Sequence, residues 1–515
     1  MHQRIGIIGA GFAGLATAKT LKSFGFEVTV FEKEPDVGGV WAASRRYPGL
    51  TTQNPRTTYA LSDFPMPASY PEWPSGEQVQ AYLRAYVEKF GIAQDILLGT
   101  KVESATLDEA AGVWTVTATA ANGSAASAAV KREFDYLIVC NGIFSEPALP
   151  AFEGAAAFTA AGGRICHTSQ FTDLAAARGK DVLVVGYGKS SCDVACASAG
   201  VARSTTVLAR HLIWKIPKKF MNVLNFKFLL LTRMGEALFK YIEVKGFEKF
   251  LHGAGKPIRD SMLGSVQSVV TRQLKLNQLG LHPGTPLETI ARSTVSLVTD
   301  GFYEKIGAGQ LALKKGVSIA SLSPGRATLD SGETLPADLI VCGTGWQQQV
   351  PFLSPAVMQR VTDAQGNFCL YRSLLPVGMP RLAFNGYNSS FFSQLNCEIG
   401  ALWLADLLLG GMTLPSPTSQ RETIARRLAW MAERTEGKHS KGTNIIPFSV
   451  HNIDELLADM RLPLGALTRF KQWLDPINPA DYRVVARRLL QRHGAALKAQ
   501  AALASGRGSA VPATH

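Results

Sequence analysis

The stretch from Arg4 to Glu32, RIGIIGAGFAGLATAKTLKSFGFEVTVFE, constrains the fold of this chain more than any other. Ile5, Ile7 and Ile8 make a short apolar run that enters a turn carrying Gly9, Gly11 and Gly14. A helical pattern through Leu15, Ala18 and Leu21 follows, and a second apolar run, Val28 to Phe31, ends at Glu32. Strand, glycine turn, helix, strand and acid in this order describe a dinucleotide-binding unit. Gly9 permits the tight turn, Gly11 lets backbone approach a pyrophosphate at the helix N-terminus, and Gly14 lets the helix pack closely on the strand. Glu32, about 20 residues beyond the glycines, is placed to accept hydrogen bonds from a ribose diol.

The pattern is echoed once. Lys180 to Val194 reads KDVLVVGYGKSSCDV, with a buried run from Val182 to Val185 and then Gly186, Gly188 and Ser191 opening a helix. Two such units imply two nucleotides. The strand that follows, Thr205 to Ala209, ends in Arg210 where the first unit ends in Glu32. An arginine cannot accept from a ribose diol but pairs with a 2′-phosphate, so the second site is expected to prefer NADPH over NADH. Lys215, Lys218 and Lys219 follow and read by default as solvated charge. Cys192 and Cys196 share one helix face and read as packing.

Bulk properties bound the remaining classes. A chain of 515 residues, 46% hydrophobic and 18% charged, is globular and long enough for two or three domains. Its net charge of +13 invites a nucleic-acid partner, but the basic residues are dispersed and no nucleic-acid motif accompanies them. Attraction to an anionic cofactor or a lipid surface explains the charge equally well. Seven cysteines without zinc-like spacing suggest reduced thiols in a cytoplasmic protein and no metal site. The first strand begins by Arg4, leaving no room for a signal peptide, and no apolar run reaches the ~18 residues of a spanning helix.

Beyond Glu32 come Gly38-Gly39-Val40-Trp41, then YPGLTTQNPRTTYALSDFPMP from Tyr47 to Pro67. This combination resembles the flavin-containing monooxygenases, the class B flavoprotein enzymes related to the Baeyer–Villiger monooxygenases. In them a GGxW segment is followed by a loop with an Asn and an SDFP element, here Ser62-Asp63-Phe64-Pro65. Gly163, His167 and Phe171 keep the spacing of the family's identifying pattern, with Ala161 where its Phe is expected. Phe171, where the typical Baeyer–Villiger branch carries Trp, points toward the heteroatom-oxidising branch. Asp338 to Trp346, with Gly343-Thr344-Gly345, is similar to the family's ATG-like turn, with Gly343 in place of Ala. Leu382 to Glu398 resembles the segment that closes over the flavin ring, with Asn388 to Gln394 as its polar loop. The resemblance spans Arg4 to Gly411.

The resemblance implies an α/β chain with two Rossmann-like domains, one for FAD and one for NADPH, the second inserted into the first. The expected boundaries are 1–165 for the first part of the FAD domain and 166–330 for the NADPH domain, with an apolar and basic insertion at about 216–300. The FAD domain resumes over 331–450, and 451–515 forms a helical segment with a flexible tail. FAD would be held at Gly9, Gly11, Gly14, Glu32, Gly39, Trp41 and Gly345, and NADPH at Gly186, Gly188, Ser191 and Arg210. Asn54 would be the catalytic residue beside the flavin, with Gln53 as the alternative aligned position; Asn54 also suits a plain turn before Pro55. His167 would be a linker responding to the nicotinamide, a structural histidine between domains, or both.

The implied activity is NADPH- and O2-dependent insertion of one oxygen atom into a small organic substrate, by N- or S-oxidation or hydroxylation through a flavin hydroperoxide. The alternatives are Baeyer–Villiger oxidation of a ketone, a pyridine-nucleotide disulfide reductase lacking its usual cysteine pair, and a non-catalytic flavin-binding protein. Phe220 to His252 is an irregular apolar and basic stretch that reads either as core helices, the more frequent explanation, or as an amphipathic helix for a membrane surface or for gating the active site; a cytoplasmic protein is expected, with peripheral membrane contact and a homodimer left open. The Ala/Ser-rich piece between Thr117 and Val130 reads as a hairpin with its loop, and the tail from Ala495 as low complexity and frayed.

Overall fold

The computed structural model describes residues 3–121, 129–292, 296–436 and 441–506. The Ala/Ser-rich loop and the end of the tail lie largely outside them. Two parallel five-stranded sheets organise the chain. Their strands in chain order are β1 (Arg4–Ile8), β2 (Glu27–Phe31), β3 (Ile96–Leu97), β4 (Tyr136–Val139), β5 (Arg164–His167), β6 (Asp181–Val185), β7 (Ser204–Ala209), β8 (Ala312–Lys315), β9 (Leu339–Cys342) and β10 (Leu382–Phe384). The first sheet runs β10-β4-β1-β2-β3 and the second β8-β7-β6-β9-β5. The sequence echo is therefore a structural one: β1 lies between β2 and β4 as β6 lies between β7 and β9. Ile5, Ile7, Val182 and Val184 are fully buried, as expected of central parallel strands covered on both faces.

Each unit also carries a three-stranded antiparallel sheet in its crossover. In the first it comprises Thr100–Asp108, Val113–Ala120 and Val130–Phe134; in the second, Ile319–Ser323, Arg326–Leu329 and Thr334–Pro336. Helix α1 (Phe12–Ser23) follows β1 and α2 (Lys189–Ser198) follows β6, each reached through a glycine turn.

Sheet membership differs from the sequence reading at both edges of the second unit. Leu339–Cys342, expected to return the chain to the flavin domain, pairs with β6, and Arg164–His167 pairs with it in turn. A buried parallel strand has the same apolar signature in either sheet, so periodicity alone does not assign it. Both strands therefore belong to the second sheet.

Between β7 and β8 lies the expected insertion, but not as one amphipathic helix. The Phe220–His252 region holds a small hairpin and short helices, among them α3 (Arg233–Ala237) and α4 (Gly246–Leu251). Thr232 caps α3 through its side chain, and Gly246 adopts φ +52°, so the chain turns instead of continuing helical. Helix Lys256–Gln273 completes this lobe.

Helix α5 (Ser393–Leu408) is buried from Gln394 through Asp406, apolar on nearly all faces, and packs along α1 as a core helix. Helices α6 (Ser449–Asp459), α7 (Ala466–Leu474) and a C-terminal helix from Arg483 to Gly506 follow. The tail from Ala495, read as frayed, continues this helix to Gly506.

Glu398 on α5 anchors the SDFP element: its carboxylate accepts from the Ser62 amide at 2.7 Å and from Ser62 Oγ at 2.6 Å. Burial, and then the nearby Asp63, push the Glu398 carboxyl up to about 7 from an ordinary 4.5. The folded state therefore holds this proton more tightly than the unfolded chain, and the associated stability is lost as pH rises from about 4.5 through about 7. Glu398→Gln should flatten the fall in melting temperature over that interval. An unchanged slope would remove Glu398 as its source.

Candidate functional site

The first glycine turn is built as the motif requires. Gly9 adopts φ +107°, and a Cβ there would lie 2.5 Å from the Cys140 carbonyl oxygen; a Cβ on Gly14 would lie 1.8 Å from the Gly9 carbonyl oxygen. Gly11 differs, because its added Cβ would meet only Gly39, at 3.7 Å. Gly11 and Gly39 thus present bare backbone to each other beside the N-terminus of α1, a cradle whose chemistry fits a pyrophosphate. Glu32 is buried; its Oε2 accepts from the Ala10 amide at 2.6 Å and its Oε1 from the Glu34 amide at 2.9 Å. Burial raises its pKa while these two bonds oppose the shift.

Past Gly39, Trp41 is buried edge-to-face with Tyr59, with ring centroids 5.7 Å apart. The polar loop 388–394 ends nearby, since Tyr59 also lies within reach of Gln394. Two acceptors, Asn388 Oδ1 in that loop and Gln394 Oε1 where it enters α5, are buried without a hydrogen-bond partner among the described residues. Buried acceptors of this kind need a donor, and a flavin with its ribityl hydroxyls and ring N–H offers several. The cradle, the acid and these two amides fit FAD.

Asn54 stands where three parts of the chain meet. It is buried, and its Nδ2 donates to the Phe391 carbonyl at 2.6 Å. Its neighbour Gln53 is exposed and turns to the second unit, where Oε1 accepts from the Leu297 amide at 3.2 Å. Tyr47, at the head of the same loop, donates to Asp193 on α2 at 3.3 Å. Asp193 is buried, pairs with Lys189 and accepts from Thr299 Oγ1 at 2.5 Å. Sequence reading missed this inter-unit tie, although the i,i+4 spacing of Lys189 and Asp193 was a usable signal.

In the second turn Gly186 takes φ +113°, and Gly188 has nothing within 4 Å of an added Cβ, so its outer face is open to a ligand. Ser191 Oγ donates to the Gly343 carbonyl at 3.3 Å, and a Cβ on Gly343 would lie 2.0 Å from that same Oγ. The two departures from the motif are therefore one: Ser at the third position of the turn requires Gly where Ala is usual. Gly343→Ala alone should destabilise by about 1–3 kcal/mol, as overpacking does. Adding Ser191→Gly should recover most of the loss in a thermal melt; additive losses would contradict the coupling.

Arg210 is exposed at the carboxyl end of β7, beside the Gly186 turn, whose amide donates to the Leu208 carbonyl at 2.9 Å. It lines a pocket of about 550 Å³ with His211, Thr285 and Lys315. No carboxylate among the described residues pairs with Arg210. Lys315, missed from sequence because it lies a hundred residues on, brings a second cation through the β7–β8 pairing. Open glycine, cationic pocket and strand end fit a phosphorylated nicotinamide dinucleotide. Lys215 departs from its reading as solvated charge. It is 1% exposed, its Nζ donates to the Tyr187 carbonyl at 2.8 Å and to Ser296 Oγ at 3.0 Å, and burial lowers its pKa.

His167 ends β5 against the Gly343-Thr344-Gly345 turn. Its Nδ1 accepts from the Ser169 amide at 3.2 Å, which leaves Nε2 to donate to the Gly345 carbonyl at 3.0 Å. Burial lowers its pKa, the Gly345 bond opposing and Arg45 adding to the shift, so the ring is neutral near pH 7. Gly345 itself takes φ +87°. Where the identifying pattern has Ala161 instead of Phe, the ring packed on Gly163 comes from Phe158 one turn upstream, which is fully buried. All seven cysteines are free thiols, and Cys192 is buried with a raised pKa, in keeping with packing. No cluster of metal-ligating side chains occurs among the described residues.

A family profile described as flavin-binding monooxygenase-like matches residues 2–462. The probable flavin-containing monooxygenase 1 of Arabidopsis thaliana is 25% identical over 521 residues, covering 93% of this chain and 96% of its own. Among solved structures, the S-allyl-L-cysteine S-oxygenase of Allium sativum is similar at TM-score 0.61 and 19% identity over 92% of both chains. An oxidised steroid monooxygenase bound to NADP is similar at TM-score 0.65 and 19% identity, over 90% of this chain and 98% of its own.

Proposed function

This chain belongs to the flavin-binding monooxygenase-like family, and on that premise we propose that it oxidises the nitrogen or sulfur of a small organic substrate. It is an oxidoreductase that uses FAD, NADPH and O2. When bound, the flavin supplies the redox chemistry, taking an electron pair from the nicotinamide and activating dioxygen. The overall balance is one O2, one NADPH and one proton: one oxygen atom joins the substrate lone pair and the other leaves as water.

In this reading the protein contributes binding, orientation and exclusion of water. Gly11, Gly39 and the α1 N-terminus receive the FAD pyrophosphate, and Glu32 receives the adenosine ribose. Gly188 and the α2 N-terminus receive the second pyrophosphate, while Arg210, with Lys315 behind it, receives the 2′-phosphate. Asn54 presents its amide at the junction of the two units. The observation that carries this proposal is that one loop, Tyr47 to Asn54, reaches Asp193, Leu297 and Phe391, so both dinucleotide units converge on a buried amide. Phe171, fully buried where the typical Baeyer–Villiger enzymes carry Trp, favours heteroatom over ketone oxidation. The test is a panel of sulfides, tertiary amines and ketones scored for oxygenated product under NADPH and air. Sulfoxides or N-oxides support the proposal, and lactones or esters from the ketones alone would overturn it.

The same chain is proposed to rest peripherally on an anionic lipid surface. Met221 and Val223 of the insertion and Leu467, Phe470 and Leu474 of α7 are between 66% and 83% exposed. Phe247 on α4 meets Trp473 on α7 with ring centroids 5.8 Å apart, extending the apolar face of α7 onto α4. Exposed Lys245, Lys249, Arg469 and Lys471 flank them, three of these paired with carboxylates (Lys245 with Glu243, Arg469 with Asp454, Lys471 with Asp475). No helix among the described residues is long and apolar enough to cross a membrane. Sedimentation with vesicles containing phosphatidylserine is expected, and Leu467→Asp with Phe470→Asp should abolish it. Failure of the unmodified protein to pellet would contradict the proposal.

A further inference from the structure

Helix α6 begins without a capping side chain of its own. The amides of its first turn are satisfied from the insertion instead. The carboxylate of Glu236 on α3 accepts from the Val450 amide at 3.0 Å and from the His451 amide at 3.0 Å, and meets His451 Nδ1 at 2.7 Å. Glu236 is only 3% exposed, and an acid at a helix N-terminus is favoured both by the unpaired amides and by the helix dipole. Glu248 on α4 holds the other ring nitrogen of His451 at 2.9 Å, so the insertion grips this helix end at two points.

The residue just before these amides is Ser449, fully buried. Its Oγ accepts from the Phe391 amide at 3.0 Å and from the Phe392 amide at 3.4 Å. The Phe391 carbonyl is the acceptor for Asn54 Nδ2. A continuous set of hydrogen bonds therefore runs from the insertion to the amide at the junction of the two dinucleotide units, through backbone that does not line either glycine turn.

We propose that Glu236 is a positioning residue for Asn54: it caps α6 and so fixes Ser449, Ser449 fixes the Phe391–Phe392 backbone, and the Phe391 carbonyl orients the Asn54 amide. The inference rests on the reading of Asn54 given above. Its consequence is that the insertion influences oxygen transfer without contacting the reacting groups, and whatever the insertion binds is felt at Asn54.

The test combines amide hydrogen exchange with the partition of NADPH electrons between product and hydrogen peroxide, in the FAD-loaded full chain. Glu236→Gln and Ser449→Ala are compared with Asn54→Ala. Glu236→Gln should speed exchange at Phe391 and Phe392 by about tenfold, not only at Val450 and His451. It should raise the peroxide fraction as Asn54→Ala does, and the double variant should release no more peroxide than Asn54→Ala alone, as expected for residues acting in series. The rate at which NADPH reduces the bound flavin should stay within about twofold, because neither glycine turn is touched. Ser449→Ala interrupts the relay midway and should give the same pattern should Glu236→Gln fold poorly. Exchange confined to α6, or additive peroxide release, would overturn the proposal. Exchange that spreads to Phe391 while Asn54→Ala leaves the peroxide fraction unchanged would instead overturn the role given to Asn54.

Discussion

Gly14→Ala should yield a protein that no longer retains FAD. The added Cβ would lie 1.8 Å from the Gly9 carbonyl oxygen and 2.9 Å from its carbon, both backbone atoms of the first glycine turn. No rotamer change relieves a clash with backbone, so α1 must move away from β1. That movement opens the Gly11–Gly39 cradle and strains Gly9, whose own Cβ position is closed off by Cys140. The expected loss is about 3 kcal/mol of stability, at the upper end of overpacking costs. Flavin occupancy should fall to about a tenth or less of the unmodified level, since each ~1.4 kcal/mol lost from the binding site is a factor of ten in affinity. The ratio of flavin to protein absorbance after gel filtration measures it. Gly188→Ala is the internal control: nothing lies within 4 Å of its added Cβ, so that variant should stay folded and yellow. A Gly14→Ala protein as yellow as the control would contradict the placement of the cradle.

Arg210→Ala should raise the Michaelis constant for NADPH by about 10- to 100-fold and change that for NADH by less than about twofold. A charge-assisted bond to phosphate contributes roughly 1.5–3 kcal/mol, which is the source of the larger figure. NADH lacks the 2′-phosphate and has nothing to lose. Lys315 limits the effect from above: it lines the same pocket and keeps one cation there, although its Nζ already donates to the Gly280 carbonyl at 2.8 Å. Arg210→Ala with Lys315→Ala should therefore lose more discrimination than either alone. An equal change for both nucleotides would remove Arg210 from the phosphate site.

Much of this was legible in the sequence because glycine turns are local. Gly9, Gly11, Gly186 and Gly188 sit between an apolar strand and a helix, and Gly14 lies in the first turn of α1 against Gly9, so the spacing encodes a turn and a close approach. What could not be read was long-range. The Leu339–Cys342 strand belongs to the second sheet, and nothing in four apolar residues says which sheet will take them. Lys215 reads as a surface charge until Tyr187 and Ser296 are seen around it. Gly343 and Ala161 read as departures from a pattern until Ser191 and Phe158 are found filling the corresponding space. The cap that Glu236 places on α6 joins residues more than two hundred positions apart, beyond any periodicity argument.

One polypeptide is proposed to hold FAD and NADPH so that a single atom of dioxygen reaches a substrate heteroatom. Purified protein supplied with FAD, NADPH, isotopically labelled dioxygen and a sulfide or tertiary amine tests it most directly. Oxygen-dependent NADPH consumption and one labelled oxygen atom per molecule of sulfoxide or N-oxide are expected. A protein that takes up no FAD, or that oxidises NADPH without placing label in any product, would contradict it.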